Sequence, residues 1–453
     1  MPASTRQRRL PRAPLAALLG LLGLLLLAPR SAGAYGGEEF PCPPSLEKRV
    51  EFWIRIFSQV SGTERVLHDS RYPWIIYETF SVPDMTQDQI KARIEARKEY
   101  YKGLLERLAV KDPAQYDAEE TRVAALFADS EELAPFTRAK ERVRSQPGVK
   151  EAMQVGIQRA GRYRDWIAAR LDSLGVPVEV SYLPHLESSF HPAARSKVGA
   201  VGLWQFTADT GRRFMRVEED LDERLDPWIA TDAAAQYLKN ARATLDSWPL
   251  AIISYNHGVS GIGRAVASLG TTDIARIIHE YDGPSFGFAS QNFYPEFLAV
   301  VEIGANPAQY FGSIECEPRI LFDEFALPQY AKVGALADAF GLTRNELAAF
   351  NPALGQSYLQ DTRPVPRSFR LKLPYQRCAD LGTAFASIPE DERSNDKPRP
   401  KGYKVRRGDT LALIAKKHRV SIDTIRKMNN IGPKGVIRTG QVLVLPDAAH
   451  PAR

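Results

Sequence analysis

Apolar residues recur at helical spacing along most of the chain before about residue 310. Phe52, Trp53, Ile56 and Phe57 share one helical face, and further apolar positions do so between Ala92 and Leu108, among charged helix formers. Residues 35–145 therefore read as mostly helical, a platform with no evident chemistry. The pattern from Val149 to Leu174 predicts one long amphipathic helix, closed by Gly175 ahead of Val176-Pro177. Val178 to Phe190 predicts the next helix, and Glu187 is the one acid in its second half. Ala230 to Leu245, with Ala233, Ala234, Tyr237 and Leu238 on one face, predicts another helix. Pro249 to Tyr255 reads as a short buried helix and Phe293 to Val301 as a last one.

Beyond about residue 320 the pattern changes to an internal repeat. The stretch from Leu336 to Asn351 matches that from Ile414 to Asn429 at a fixed offset of 78, without a gap. Leu342 maps to Val420, Thr343 to Ser421, Leu347 to Ile425 and Asn351 to Asn429. Each copy predicts two short helices, the second capped by Thr343 or Ser421, followed by an alternating strand at Phe369–Pro374 or Val442–Pro446. Ser387 to Lys401, charged and poor in apolar residues, reads as a flexible linker. Asp447 to Arg453 is expected to be disordered.

A chain of 453 residues suggests two or three domains, and 44% hydrophobic with 25% charged residues is ordinary globular composition. The first 34 residues read as a signal peptide: Arg6, Arg8, Arg9 and Arg12 precede an apolar Leu15–Ala28 run and the small-residue site Ala32-Gly33-Ala34. An exported chain beginning at Tyr35, with no membrane span left after cleavage, is the expectation. The net charge of +6 is uneven: residues 401–446 hold +9 and the signal region +5, leaving −8 elsewhere. Export and the acidic remainder argue against nucleic acid as a partner. Of the three cysteines, Cys316 and Cys378 bracket one copy of the repeat and form the favoured disulfide, with Cys42–Cys316 as the alternative. The seven scattered histidines form no metal motif, and no cofactor is implied.

The chemistry concentrates between Ser181 and Gly211. Glu187 stands in an otherwise uncharged run, where desolvation raises a carboxyl pKa and lets the acid donate a proton to a leaving oxygen. Twelve residues on, the turn Gly199–Gly202 leads into Leu203, Trp204 and Gln205, which can return a ring and an amide beside the acid. The next acid in sequence is Asp209, beyond that turn, so Glu187 reads as a lone carboxyl group. His185 is expected to serve packing or a surface contact.

LPHLESSF around Glu187, GAVGLWQFTADTG from Gly199 to Gly211 and ISYNHG from Ile253 to Gly258 together resemble the lysozyme-like catalytic domain of lytic transglycosylases of the membrane-bound murein transglycosylase D type. Residues 403–446 resemble a LysM module, and 326–375 a degenerate copy lacking its Gly-Asp-Thr opening, read as a spacer. The resemblance implies cleavage of the β-1,4 bond between N-acetylmuramic acid and N-acetylglucosamine in peptidoglycan, with closure of a 1,6-anhydro ring and no second carboxylate. It implies Glu187 as catalytic acid and Ser188, Gln205, Tyr255, Asn256 and Tyr294 as substrate-binding. Trp204 is as suited to core packing as to stacking on sugar. His257 replaces the small residue usual in the family and is read as pointing to solvent. In the LysM copy Asp409, Thr410, Asn429 and Ile431 are the implied glycan-binding residues.

The expected architecture is mainly α, a lysozyme-like domain with a helical N-terminal region, plus small α+β LysM units of βααβ type. The expected division is signal peptide 1–34, helical region 35–145, transglycosylase domain 146–320, degenerate unit 321–380, linker 381–402 and LysM module 403–446. A monomer acting on glycan strands, periplasmic or wall-associated, is expected. Two rivals compete: a goose-type muramidase that lets water attack, and a non-catalytic peptidoglycan-binding scaffold.

Overall fold

Pro43-Pro44 stops the N-terminal segment and opens helix α1 (Pro44–Ser58), where a missing N–H at the first helical position costs nothing. The structure, a computed structural model, describes residues 37–130, 132–396, 401–418 and 420–445. The signal peptide and the C-terminal tail expected from sequence lie outside the described residues.

After α1 the chain departs from the helical expectation. Strands β1 (Glu64–Asp69), β2 (Ile76–Ser81) and, much later, β3 (Val143–Pro147) form an antiparallel sheet in the order β2-β1-β3. These strands lack clear alternation because the sheet is covered on both faces. Val66 enters the core shared with α1, while its neighbour Leu67 enters a second core under helix α2 (Gln87–Leu108). A capping box at Thr86 and Gln89 fixes the start of α2.

The long helix expected over Val149–Leu174 is two helices, α3 (Lys150–Ala160) and α4 (Arg164–Ser173). They break at Gly161, where any Cβ would collide with the Glu317 carbonyl of a returning segment. Glu317 N–H bonds the Gln158 carbonyl at 2.9 Å, so that segment takes over a helix-end acceptor. Gly175, with φ +69, ends α4 in the left-handed conformation that glycine favours.

A 3-10 turn, Val178–Tyr182, leads into the short α5 (Leu183–Ser188) carrying Glu187. It packs against α3 and α8 (Phe288–Ala305), and α6 (Pro227–Leu245) and α7 (Trp248–His257) share the same core. Their apolar faces and that of α1 form one core running from Phe40 to Ile303. Asn292 on α8 accepts from both Trp53 Nε1 and Arg49 Nη1 of α1, each at 3.0 Å, tying the first helix to the last wall of the site.

The degenerate repeat is fused to this body. Strand β4 (Phe322–Ala326) pairs with β5 (Arg370–Pro374), and helices α9 (Val333–Ala339) and α10 (Arg344–Phe350) pack on them. Leu221 of the preceding helical body is fully buried in this unit's core and bridges Leu354. Lys372 Nζ donates to Asp226 at 2.6 Å, both side chains being fully enclosed. The unit is thus a fixed buttress rather than the spacer expected. Residues 381–396 also differ from the flexible linker predicted: Phe385 and Ile388 are buried in the same core, and Arg393–Ser394 pairs with Tyr330–Ala331.

The second copy has β6 (Lys401–Lys404), α11 (Leu411–His418), α12 (Ile422–Met428) and β7 (Val442–Leu445). Asn351 and Asn429 do the same work in the two copies. Each amide donates to a carbonyl one turn back and to a strand carbonyl, and each accepts from a strand N–H. The three cysteines are free, contrary to the expected disulfide. Cys42 is buried in the main core, Cys316 lies against the end of α3, and Cys378 sits in the turn after β5, so each thiol has a different neighbourhood.

Candidate active site

Glu187 lies in the last turn of α5, and its neighbours stop the helix abruptly. Ser189 and Phe190 both take left-handed backbone angles, with φ of 48° and 53°. Two consecutive non-glycine residues in that region cost about 1–2 kcal/mol each. Phe190 offsets this by burying its ring completely, edge-on to His185 with centroids 4.6 Å apart; such burial contributes about 1.5–3 kcal/mol. The strain swings the chain into the loop that faces the acid.

That loop, from Ala194 to Phe206, is pinned from inside. The consecutive carbonyls of Gly202, Leu203 and Trp204 each accept a side-chain donor: Gln205 Nε2 at 2.8 Å, Ser188 Oγ at 2.8 Å and the Tyr255 hydroxyl at 2.8 Å. Gly202 has φ +85 and abuts the Arg224 carbonyl, leaving no room for a side chain. Arg224, itself buried, donates to the carbonyls of Gly199 and Phe206 and pairs with Asp222. Ser188, next in sequence to Glu187, thus joins Gln205 and Tyr255 in fixing the turn by hydrogen bonds. Gln205, with φ 49°, keeps its amide oxygen free of described donors. Trp204 is fully buried, its Nε1 donating to Thr231 at 2.9 Å, which fits the packing role.

Asn256 lines a cleft of about 450 Å³ together with Glu187. Its amide oxygen accepts from Ser290, which also meets His257 Nδ1 at 3.0 Å. His257 therefore does not simply face solvent: it bonds Ser290 and packs edge-on to Phe286. His185 is buried, stacks near Tyr182 and lines the cleft wall; burial pushes it down to about 3, so it is neutral.

Tyr294 is the expected site residue that the structure places elsewhere. It is fully buried, and its hydroxyl donates to the Pro41 carbonyl at 2.8 Å. Adjacent helical residues point about 100° apart, and on α8 it is Phe293 and Glu296 that face the cleft. Glu296 is the residue that sequence reasoning missed. It brings a second carboxyl group to the acid, so Glu187 is not alone. The signal was present, because Glu296 is one acid in the apolar run FYPEFLAVV, the same pattern that marked Glu187.

Both carboxyl groups keep only a partial opening to the cleft. Neither has a hydrogen bond or ion pair with a described residue. Burial pushes Glu187 up to about 8, and burial together with the Glu187 charge pushes Glu296 up to about 8. Burial, then the charge of Glu187, also drives the Tyr255 hydroxyl well above its usual range. The facing wall comes from the N-terminal region: Trp53 and Phe57 from α1, and Arg144 from β3, whose guanidinium lies 4.1 Å over the Phe288 ring. A groove with an unionised acid, an amide and aromatic walls can hold a sugar and protonate its glycosidic oxygen.

In the LysM-like copy, Thr410 caps α11 through Leu413 N–H, and Asp409 accepts from the Tyr403 hydroxyl and Arg406 N–H, each at 2.7 Å. Those hydrogen bonds hold the Asp409 carboxyl below the usual range. The Asn429 amide is committed to the fold, and Ile431 is half-buried against the small core. Side chains at these four positions shape the loops, and Thr410 is exposed.

Residues 166–278 match the transglycosylase SLT domain, and residues 403–446 match the LysM domain. The chain is 27% identical over 297 residues to the membrane-bound lytic murein transglycosylase D of Escherichia coli K12, covering 63% of this chain and 64% of that protein. It is 39% identical over 81 residues to the peptidoglycan transglycosylase gp16 of Escherichia phage T7, covering 17% of this chain and 6% of that protein. A putative tributyltin chloride resistance protein of an Alteromonas species is 29% identical over 113 residues, covering 24% of this chain and 55% of that protein. The chain thus spans a little under two thirds of the length of the murein transglycosylase it matches. Glu296, Phe293 and the N-terminal wall lie outside the matched SLT stretch.

Proposed function

We propose that this protein is a peptidoglycan lytic transglycosylase in which Glu187 is the acid. The observation that carries the reading is a largely desolvated carboxyl group, without a hydrogen bond or ion pair to a described residue, opening into a cleft of about 450 Å³. Glu187 gives its proton to the glycosidic oxygen as the bond to the anomeric carbon of N-acetylmuramic acid breaks. The sugar's 6-hydroxyl then bonds that carbon, and its proton returns to Glu187. Asn256 and the free amide oxygen of Gln205 meet the sugar's N-acetyl and hydroxyl groups, while Ser188 and Tyr255 hold the turn against it.

The chain is proposed to act after export, in the periplasm or at the wall, with the loops at Asp409–Thr410 and Asn429–Ile431 resting on glycan. The local charge of +9 adds a salt-sensitive attraction to peptidoglycan carboxylates. The fused first unit is proposed to brace the catalytic body, leaving the last module as the tether that holds the enzyme on an insoluble polymer.

The test is digestion of purified sacculi by the full chain, with mass spectrometry of the released fragments. Wild type is expected to release fragments ending in 1,6-anhydromuramic acid, and Glu187→Gln is expected to slow release by about 100-fold or more. Equal release by both would remove Glu187 from the chemistry, and no release by either would favour the scaffold. Glu296 favours one alternative: a second carboxylate can activate water, giving the muramidase outcome. Reducing ends in the digest would establish that alternative.

A further inference from the structure

Glu296 has no structural reason to be a carboxylic acid. It sits on the same face of α8 as Ala289 and Phe293, opening on the cleft, while its neighbours Tyr294 and Phe297 turn fully into the core. A partly buried carboxyl group without a donor or cation destabilises the fold relative to an apolar residue of similar size. Asn292, one turn earlier, is by contrast satisfied by Arg49 and Trp53. Glu296 instead shares its enclosure with Glu187, the only other carboxyl group lining the cleft among the described residues.

We propose that Glu296 is the partner of Glu187, the two carboxyl groups holding one proton between them so that the charge of one keeps that proton in the cleft for the sugar. The inference rests on Glu187 being the acid. Two carboxyl groups in one enclosure resist the loss of their last proton, because the second charge would face the first in a medium that screens poorly. The proton balance of the reaction is unchanged. One proton leaves for the glycosidic oxygen as the anomeric bond breaks, one returns from the 6-hydroxyl as the new ring bond forms, and the pair ends as it began.

The other groups around the pair do not replace this partner. His185 on α5 is neutral, and Tyr255 on α7 spends its hydroxyl on the Trp204 carbonyl. His257 on α7 is turned to Ser290, and Arg159 on α3 reaches the Ser189 carbonyl at 3.5 Å. Arg49 on α1 is bound to Asn292 and the Arg71 carbonyl, and Arg144 on β3 lies over Phe288. The cations thus sit on other acceptors or rings, and the direction of the effect is set by carboxyl against carboxyl.

The experiment is the pH profile of fragment release from sacculi for the full-length wild type, Glu296→Gln, Glu296→Asp and Glu187→Gln, with melting curves for each. Release requires a proton on Glu187, so the rate falls on the alkaline side as the pair loses its last proton. Glu296→Gln is expected to stay active at acidic pH and to move that alkaline limb down by about one pH unit or more. Glu296→Asp, which keeps the charge, is expected to leave the limb near its wild-type position. A folded Glu296→Gln with an unmoved limb overturns the inference. So does its inactivity at every pH, because a tuning charge leaves the acid itself in place. In either case an inactive Glu187→Gln would leave the acid's role standing, whereas an active one would end the functional reading itself.

Discussion

Replacing Lys372 by Met tests whether the fused repeat holds the catalytic body in shape. Lys372 and Asp226 are both fully enclosed, and the ammonium donates to the carboxylate at 2.6 Å and, more weakly, to the Arg370 carbonyl at 3.3 Å. Met keeps the unbranched stem and its packing but removes the charge. Asp226 would retain the N–H groups of Trp228 and Ile229, each at 3.0 Å to its other oxygen, as the N-cap of α6. Stripping one partner from a buried ion pair costs about 3–5 kcal/mol. With two cap hydrogen bonds left, the lower end, about 3 kcal/mol, is expected. The double variant Asp226→Asn/Lys372→Met removes the stranded charge while keeping a cap oxygen, and is expected to recover most of that loss. Urea unfolding followed by tryptophan fluorescence reports this directly, since Lys372 lies 5.7 Å from the centre of the Trp228 ring. Fragment release should fall with stability, because α6 carries Thr231, which holds Trp204 under the active-site turn. A loss below about 1 kcal/mol for the single variant, or a double variant no better than the single, would refute the reasoning.

Three further outcomes follow from the site. Tyr255→Phe strands the Trp204 carbonyl, so a loss of about 1–3 kcal/mol in stability is expected, with kcat for fragment release falling more than KM rises. Stability should depend on pH with a definite sign. The Glu187–Glu296 pair keeps its last proton in the folded state up to about pH 8, whereas the unfolded chain releases it above about pH 4.3, so stability declines across that window and levels off above it. Each full pKa unit is worth about 1.4 kcal/mol, which the partial exposure of both groups reduces to about 1–2 kcal/mol for the pair; urea midpoints at acidic and alkaline pH should draw closer in Glu187→Gln. Ser189→Gly should raise the unfolding free energy by about 1 kcal/mol, and with it the melting temperature, by relieving a left-handed serine, while slowing fragment release because the acid's helix end loses its fixed exit.

The sequence carried the helices and the acid because both are local signals. Glu187 stood out as a lone charge in an apolar run, and the repeat stood out because Leu342, Thr343, Leu347 and Asn351 recur in register. What failed to show depends on distant partners. The N-terminal strands are covered on both faces, so alternation was erased by the two cores they separate. The break at Gly161 needs Glu317 to be seen. Tyr294 and Phe293 differ by one helical step, and only the seat of Tyr294 against Pro41 decides which of them meets the cleft. Glu296 carried the same local pattern as Glu187, but an acid on one helix says nothing of the acid it will meet. The resemblance supplied site residues by type, and the fold shows that Ser188, Gln205 and Tyr255 serve first as clamps on three consecutive carbonyls.

The walls around Glu187 are drawn from α1 and β3, made early in the chain, and from α8, made much later. A nascent or truncated polypeptide ending before α8 would leave this carboxyl group bathed in water and ionised at neutral pH, with nothing to give a sugar. The proposed chemistry is therefore withheld until α8 docks on α1. Under the activity proposed above, completion of folding is itself a safety catch for the cell that makes the protein.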